Sequence, residues 1–574
     1  METKKQELKI ETIRHSLSHI LAYAVLELFP GTKIGTGPAI ENGFYYDFQF
    51  SGQLSDKDLP KIENKIKNIL KTNLVFKKDL LEKEAANKLF QEQSYKLELI
   101  KELPEEKVTI YKSGKFIDLC KGPHINNTSE ISPDSFKLTK VAGAYWRGSE
   151  KNKMLTRIYG VAFENKKKLE DYLKMMEEAE KRDHKKLGER LDLFSFHPES
   201  PGSAFWHPKG MIIWNELEKL GKGLRKKYGS EEIQTPQLAK KILWEKSGHW
   251  DHYQDSMFYF DVEKETYCLK PMDCPFNIKI YQTKIRSYKD LPIRYTETGR
   301  VMRNEKSGEL YGLFRVRAIT QDDAHIFVME EQIEKEISSL LKMVKEYYKV
   351  FKIKPEFFLS TRPDDFMGEI STWNKAENNL KNALKKEKIE YGTKEKDGAF
   401  YGPKIDINIK DAIGRSWQLA TIQLDFQLPQ RFNVEYIDKD GSRKHPVMIH
   451  AAIFGSYERF IGIFLEHTEG NLPLWLSPVQ VEIINISDSH KKYAKLVYEE
   501  FIAAGIRAEF KDDNLTLGKK IREAEMQKIP YLLIIGDKEM KTKSVAVRTR
   551  GKDLGRIKLK KFLKDVIIEK EEKK

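Results

Sequence analysis

The chain has 574 residues, 40% of them hydrophobic and 11% aromatic, with 101 basic against 87 acidic side chains and a net charge of +14. That length predicts three or four domains. The charge favours a polyanionic partner such as RNA, although a lysine-rich proteome gives the same excess. Only Cys120, Cys268 and Cys274 are present, which excludes a disulfide scaffold and suits a reducing cytoplasm. No apolar run is long enough to span a bilayer, and METKKQELKIETIRHS reads as neither signal nor transit peptide.

A helix is expected from near Ile13, carrying His15 and His19 at i and i+4 on one face. Strand-like GFYYDFQF and KFIDLC follow, the second leading into the loop KGPHI, so residues 1–162 read as α+β. Residues 163–190 are charged with helical spacing and read as one connecting helix. Within 191–475, alternation in LPIRYTETGRVMR and YGLFRVRAIT predicts two antiparallel strands joined by a loop. From 476 to 574, strand-like VQVEIINIS, IRAEFK, YLLIIG and SVAVRTR alternate with helical stretches, as in a compact α/β domain.

Two groups of residues carry metal-type or acid–base chemistry. HSLSH and DLCKGPH form HxxxH…CxxxH, and their spacing alone suits a zinc site built from His15, His19, Cys120 and His124. Cys274 in PMDCP, His325 in QDDAHIF and His450 in VMIHAAIF make a thiolate and two imidazoles. Three such ligands leave a fourth position of Zn²⁺ open, the mark of a catalytic or substrate-binding ion. Taken bare, the triple reads better as a buried cysteine and two core histidines, because its spacing is wide and motif matches of this kind often arise by chance.

The surroundings change that reading. RNEKSGELYGLFRVRAITQDDAHIF resembles motif 2 of class II aminoacyl-tRNA synthetases, GSYERFIGIFLEH resembles motif 3, and KKYGSEEIQTP, with Pro236, resembles motif 1. KPMDCP, AFYGPKIDI, TIQLDFQLP and VMIHAAI are similar to the threonyl members of that class. The resemblance runs from about residue 10 to the C-terminus. It implies an α+β multidomain fold. The parts are an α+β editing domain over 1–162, the connecting helix, a catalytic domain with an antiparallel sheet over 191–475, and an α/β anticodon-binding domain over 476–574. It also implies a cytoplasmic homodimer with no membrane association, built on the motif 1 face around Pro236. The substrates would be ATP with Mg²⁺, L-threonine and tRNA(Thr), with one Zn²⁺ per subunit.

By the same resemblance, Arg303 contacts the α-phosphate and the amino-acid carboxylate, Glu305 the adenine side of ATP, Arg315 the γ-phosphate and Arg459 the nucleotide. Gln423 belongs with this ATP set. Gln321, Asp323, Tyr401 and Lys404 line the threonine pocket. Cys274, His325 and His450 hold the zinc, to which threonine's amino and hydroxyl groups bind. Valine has no oxygen to offer, so such a site rejects it better than an apolar pocket could. Serine is only a methyl smaller than threonine, which calls for a second, hydrolytic site. His249 in KSGHWDHY resembles the histidine that helps deprotonate the tRNA ribose, a task suited to an imidazole.

For the N-terminal group the resemblance and the spacing differ. The family uses His15, His19, Cys120 and His124, with Lys96 and Asp118, to bind the mischarged adenosine end and activate water rather than to hold a metal. At the other end, Asn514, Arg522, Glu539 and Arg548 match positions that contact anticodon bases, which are read through exposed edges and stacking. HxxxH begins at His15, so the ubiquitin-like domain that precedes it in many bacterial members is expected to be absent. Four residues depart from the family pattern near the inferred pocket: Asp273, Asn277, Leu419 and Ala451. The last three are the support for an alternative, an RNA-binding protein that no longer charges tRNA.

Overall fold

The computed structural model describes residues 2–149 and 151–573. The chain divides into two compact units, Met1–Glu178 and Ala179–Lys574.

In the first unit a long helix, Glu2–Leu28, begins well before Ile13. Its apolar residues Ile13, Leu17, Ile20, Leu21 and Ala24 recur at helical spacing, and all are buried. They share one core with Phe44, Tyr46 and Phe48, the inward-facing alternate residues of the strand Gly43–Gln49. Burying each of these leucine, isoleucine and phenylalanine side chains contributes about 1.5–3 kcal/mol. That strand sits in a five-stranded antiparallel sheet with Met154–Ala162 and Phe136–Tyr145. A separate three-stranded sheet, Phe76–Glu82, Lys107–Ser113 and Phe116–Leu119, ends at the loop that carries Cys120 and His124.

The stretch expected to be one connecting helix is two, Lys166–Lys181 and His184–Arg190. Asp183 starts the second, its side chain accepting the Lys185 amide at 2.7 Å. An aspartate is a good N-cap and a poor interior residue, so the chain restarts there. The high charge of the stretch conceals that signal.

The second unit is built on an eight-stranded sheet. Its order is Glu231–Glu232, Ile293–Met302, Ala318–Val328, Val447–Ser456, Ser416–Asp425, Lys404–Lys410, Pro355–Ser360 and Tyr391–Lys394. The six central strands are antiparallel, and only the two edge strands pair in parallel. The expected motif 2 hairpin is present, but its second strand starts at Ala318, so 311–317 is loop. The helices Pro208–Lys227, Ile333–Val350 and Tyr457–Thr468 share one apolar core with alternate residues of the sheet, among them Ile449, Ala451 and Ile453. Ala451 therefore lies in that core, not in a pocket with its neighbour His450.

After residue 480 comes a five-stranded mixed sheet in the order Ala508–Lys511, Val481–Asn485, Tyr531–Ile535, Ser544–Thr549 and Lys552–Lys558. Its first three strands are parallel, as strand–helix–strand connections produce. Among the described residues, no helix is long and apolar enough to cross a membrane.

Candidate active site

The register of the large sheet brings distant motifs into one row. Lys404 pairs with Gln423, Gln423 with His450, and His450 with His325. Directly opposed residues share a sheet face, so all four point the same way. Two residues along, Asp323 opposes Glu297 on one side and Ala452 on the other. Gln321, Asp323 and His325 are thus successive members of one face, while Asp322 points to the other. There Asp322 accepts the amides of Ile453, Phe454 and Gly455 and binds Arg225, which fixes the irregular start of motif 3.

Cys274 starts the helix Cys274–Tyr281. Its sulfur and one nitrogen each from His325 and His450 lie within 4.8 Å of one another, and all three residues are buried. His450 Nε2 is 3.0 Å from Asp425 Oδ2, and Asp425 is itself held by the amides of Gln427 and Leu428. That pairing leaves Nδ1 as the nitrogen for a metal, the usual imidazole–carboxylate arrangement. Burial, then Asp323 and Asp425, hold the Cys274 thiol well above its ordinary value. A cation is what deprotonates such a thiol, so the donor set fits Zn²⁺. Tyr401 lies beside His450, with ring centroids 5.4 Å apart, and donates to Gln423 at 2.9 Å. Lys404 is engaged by Asp406 at 3.0 Å.

Behind Cys274, Lys270 lies between Asp273 Oδ1 at 2.6 Å and Glu297 Oε1 at 2.7 Å, and all three are buried. Lys270 thus compensates the charge at Asp273, one of the departures. Burial, followed by Asp273, pushes Glu297 up to about 7. Asp323 is also raised, by burial and then by these acids. Asn277 donates to the Asp273 carbonyl at 3.1 Å.

Next to the row is a cavity of about 250 Å³ lined by Arg303, Glu305, Arg315, Gln321 and Arg459, with Phe314 and Leu419. Arg303 is anchored through Nε to the Pro271 carbonyl at 3.3 Å, and Arg459 through Nε to the Phe314 carbonyl at 3.0 Å. Burial lowers the Arg459 pKa, and Arg303 and Arg315 lower it further. Three guanidinium groups are therefore concentrated here. Arg315 pairs with Glu305 at 2.8 Å. Gly455 is required by the backbone: φ is +77°, and a Cβ would lie 2.4 Å from the Leu419 carbonyl oxygen.

His249 is fully buried. The Ser247 hydroxyl donates to the Trp244 carbonyl at 3.0 Å, so it accepts from His249 Nδ1 at 2.7 Å. The proton is then on Nδ1, and Nε2 is a lone pair with no partner among the described residues. Burial, with His450 and Arg303 next, lowers this histidine to about 3.

In the first unit His15, His19, Cys120 and His124 also converge within 4.8 Å. Cys120 Sγ is 3.4 Å from both His15 Nε2 and His124 Nε2. His15 Nδ1 meets the Pro123 carbonyl at 3.1 Å. His124 Nδ1 meets Ser16 Oγ at 3.1 Å, and that hydroxyl's own proton goes to the Thr12 carbonyl. Both imidazoles thus aim Nε2 lone pairs at one thiol, which has a single proton. Burial lowers all three histidines and pushes Cys120 up to about 11, so the group is neutral near pH 7. Asp118 binds Lys96 at 2.5 Å and Tyr46 at 2.5 Å, and lies 3.6 Å from His19 Nε2, beyond hydrogen-bond distance. Both expected supporting residues, Lys96 and Asp118, are therefore in this cluster.

The four C-terminal positions are less uniform. Asn514 and Arg522 are exposed, and Arg548 is half-buried near Glu525. Glu539 is buried, accepting the Gly536 amide at 3.1 Å and pairing with Arg556 at 3.0 Å.

Sequence reasoning missed Asp425, Asp322, Ser247 and Lys270. The doublet QDD in a strand is a usable signal, because only one of two adjacent acids can face a site. The roles of Asp425, Ser247 and Lys270 depend on contacts that spacing does not encode.

The chain matches the tRNA synthetase class II core domain (G, H, P, S and T) over residues 258–468. It matches the anticodon binding domain over 480–569 and the threonyl and alanyl tRNA synthetase second additional domain over 108–159. It is therefore built as a class II aminoacyl-tRNA synthetase. It is 49% identical to the threonine–tRNA ligase of Carboxydothermus hydrogenoformans, over 98% of this chain and 89% of that one. To the threonine–tRNA ligase of Clostridium tetani it is 51% identical, over 96% and 87%. The solved RNA binding domain of threonyl-tRNA synthetase from Cryptosporidium parvum superposes with a TM-score of 0.64 at 41% identity, covering 67% of this chain and 97% of that one. The chain belongs to the threonine–tRNA ligase family. It activates threonine with ATP, joins it to tRNA, and uses Mg²⁺ with ATP as the family does. Its additional domain fits hydrolytic clearance of mischarged seryl-tRNA.

Proposed function

We propose that Cys274, His325 and His450 hold a zinc ion that recognises threonine, and that the adjoining arginine cavity is the ATP site. The observation that carries this is the row Lys404, Gln423, His450 and His325, with Cys274 beside it and the arginines adjacent. Bound there, zinc supplies coordination for threonine's amino and hydroxyl groups. Asp323, on the same face, accepts a hydrogen bond from the hydroxyl, and Gln321 and Tyr401 complete the pocket. Attack of the carboxylate on the α-phosphate concentrates negative charge. Arg303 and Arg459 meet it already anchored through Nε, so little reorganisation is needed at the transition state. Glu305 and Arg315 contact the remainder of the nucleotide, and Gln423 steadies Tyr401. His249, with Nε2 unprotonated, takes the ribose proton during transfer to tRNA.

In the first unit, one of the two Nε2 lone pairs facing Cys120 remains to accept a proton from water, which then attacks the seryl ester. Lys96, held by Asp118, orients the site. Metal binding by the same four residues is the second reading, favoured by their mutual distances. Residues 1–162 form the editing domain, 191–475 the catalytic domain and 476–574 the anticodon-binding domain, where Asn514, Arg522 and Arg548 meet bases and Glu539 supports the helix that begins beside it. The enzyme works in the cytoplasm as a homodimer. Pro236 is exposed near Leu238, Ile242, Tyr259 and Phe260, all exposed apolar residues of the kind a partner covers. A monomer in sedimentation at micromolar concentration would contradict this.

Threonine-dependent pyrophosphate exchange tests the catalytic assignment. Arg303→Ala and Cys274→Ser should each lose it by about 100-fold or more, the scale of a removed charge stabiliser. The pair His15→Ala and His19→Ala should retain exchange while seryl-tRNA accumulates. Exchange retained by the first two variants, or lost by the pair, would overturn the assignment.

A further inference from the structure

We propose that His184, at the start of the second connecting helix, is a positioning residue that sets the ATP site; this rests on reading the arginine cavity as that site. His184 is fully buried and distant in sequence from every motif. Its Nδ1 lies 2.7 Å from Glu466 Oε1 on the motif 3 helix, and its backbone amide donates to the same oxygen at 3.0 Å. Its Nε2 accepts the Leu313 amide of the motif 2 loop at 2.9 Å. An amide can only donate, so Nε2 is the acceptor and Nδ1 carries the proton. Glu466 is in turn bound by Arg415, which also pairs with Asp411 at 2.6 Å. Asp183, His184 and Glu466 are close enough to hold an ion. Both ring nitrogens already have protein partners, however, so the group is a linkage and not a metal centre.

What the linkage holds is the wall of the cavity. The imidazole packs on Phe314 with ring centroids 4.1 Å apart, and Phe314 lines the cavity. The Phe314 carbonyl anchors Arg459 at 3.0 Å. A continuous path therefore runs from Glu466 through His184 and Leu313–Phe314 to the guanidinium of Arg459. The loop is shaped to receive the ring: Gly312 has φ +47°, and a Cβ there would lie 2.1 Å from His184 Nε2. The 311–317 segment is loop rather than strand, so side-chain contacts of this kind have to fix it.

The test uses the whole enzyme and separates the two ring nitrogens. His184→Asn keeps a donor near the Nδ1 position for Glu466 and removes the acceptor for Leu313. His184→Gln places an amide oxygen near the Nε2 position and keeps that acceptor. In pyrophosphate exchange, H184N should raise the KM for ATP about tenfold, the scale of one buried acceptor lost. Its threonine KM and zinc content should stay within about twofold of wild type, and H184Q should recover most of the ATP effect. Gly312→Ala pushes on the same contact from the loop side and should show the same ATP-selective rise. Equal impairment by H184N and H184Q, parallel shifts in ATP and threonine KM, or a wild-type ATP KM in G312A would each overturn the proposal. Arg459→Ala is measured alongside. If it raises the ATP KM and H184N does not, the linkage fails alone; if it leaves the ATP KM unchanged, the nucleotide reading fails and the linkage falls with it.

Discussion

At the scale of single residues, the two histidine clusters use similar side chains in different settings. His450 has a carboxylate behind it, Asp425, whereas His15 and His124 have a backbone carbonyl and a hydroxyl behind them. A carboxylate partner raises imidazole basicity and favours a metal, and its loss typically weakens metal affinity by about 10–100-fold. Asp425→Asn should therefore bind zinc more weakly in a competition titration with a chelator, with Cys274, His325 and His450 all retained. Affinity equal to wild type would remove Asp425 from the account. The ligands themselves were legible as a donor triple, but their convergence was not: His325 and His450 are brought together by a sheet register that depends on long-range pairing, and Cys274 joins them from the start of a helix. Similarly, Ala451 was expected near the pocket, yet strand alternation places it in the core beside Ile449 and Ile453.

At the scale of elements, periodicity located most pieces and misjudged ends. The first helix extends to Glu2, the connecting stretch breaks at Asp183, and the second motif 2 strand loses seven residues to a loop, 311–317. The break at Asp183 comes from a cap and the shortened strand from tertiary contacts of its loop, both of which outweighed the local pattern. The C-terminal sheet contains a titratable element of its own. Glu482, on the buried strand Val481–Asn485, has Oε1 without a hydrogen-bond partner among the described residues and is pushed up to about 7, chiefly by burial. A raised carboxylate pKa means that the folded state holds the proton more tightly. Stability from this residue is therefore full below the unfolded value near 4.5 and is lost as pH rises through about 7. Glu482→Gln should raise the melting temperature at pH 8 and change it little at pH 5, with a gain on the order of 1–3 kcal/mol at the higher pH. An equal effect at both pH values would show that burial does not disfavour its charge.

At the scale of the whole molecule, each unit carries its own cluster of cysteine and histidine, and the two share no residues. Composition, motif order and domain sequence were readable from the chain alone. Without the resemblance, which cluster is a metal centre was not, because both donor sets admit zinc. The distinction lies in what stands behind the imidazoles and in the single thiol proton shared by two Nε2 atoms. On the proposed reading, only the Cys274 cluster holds zinc and the His15 cluster acts through neutral side chains. Elemental analysis of dialysed protein tests it most directly. The account predicts one zinc per chain in the wild type and in the His15→Ala, His19→Ala variant, and close to none in Cys274→Ala. Two zinc ions per chain, or a zinc content that falls with His15 and His19 and survives the loss of Cys274, would contradict it.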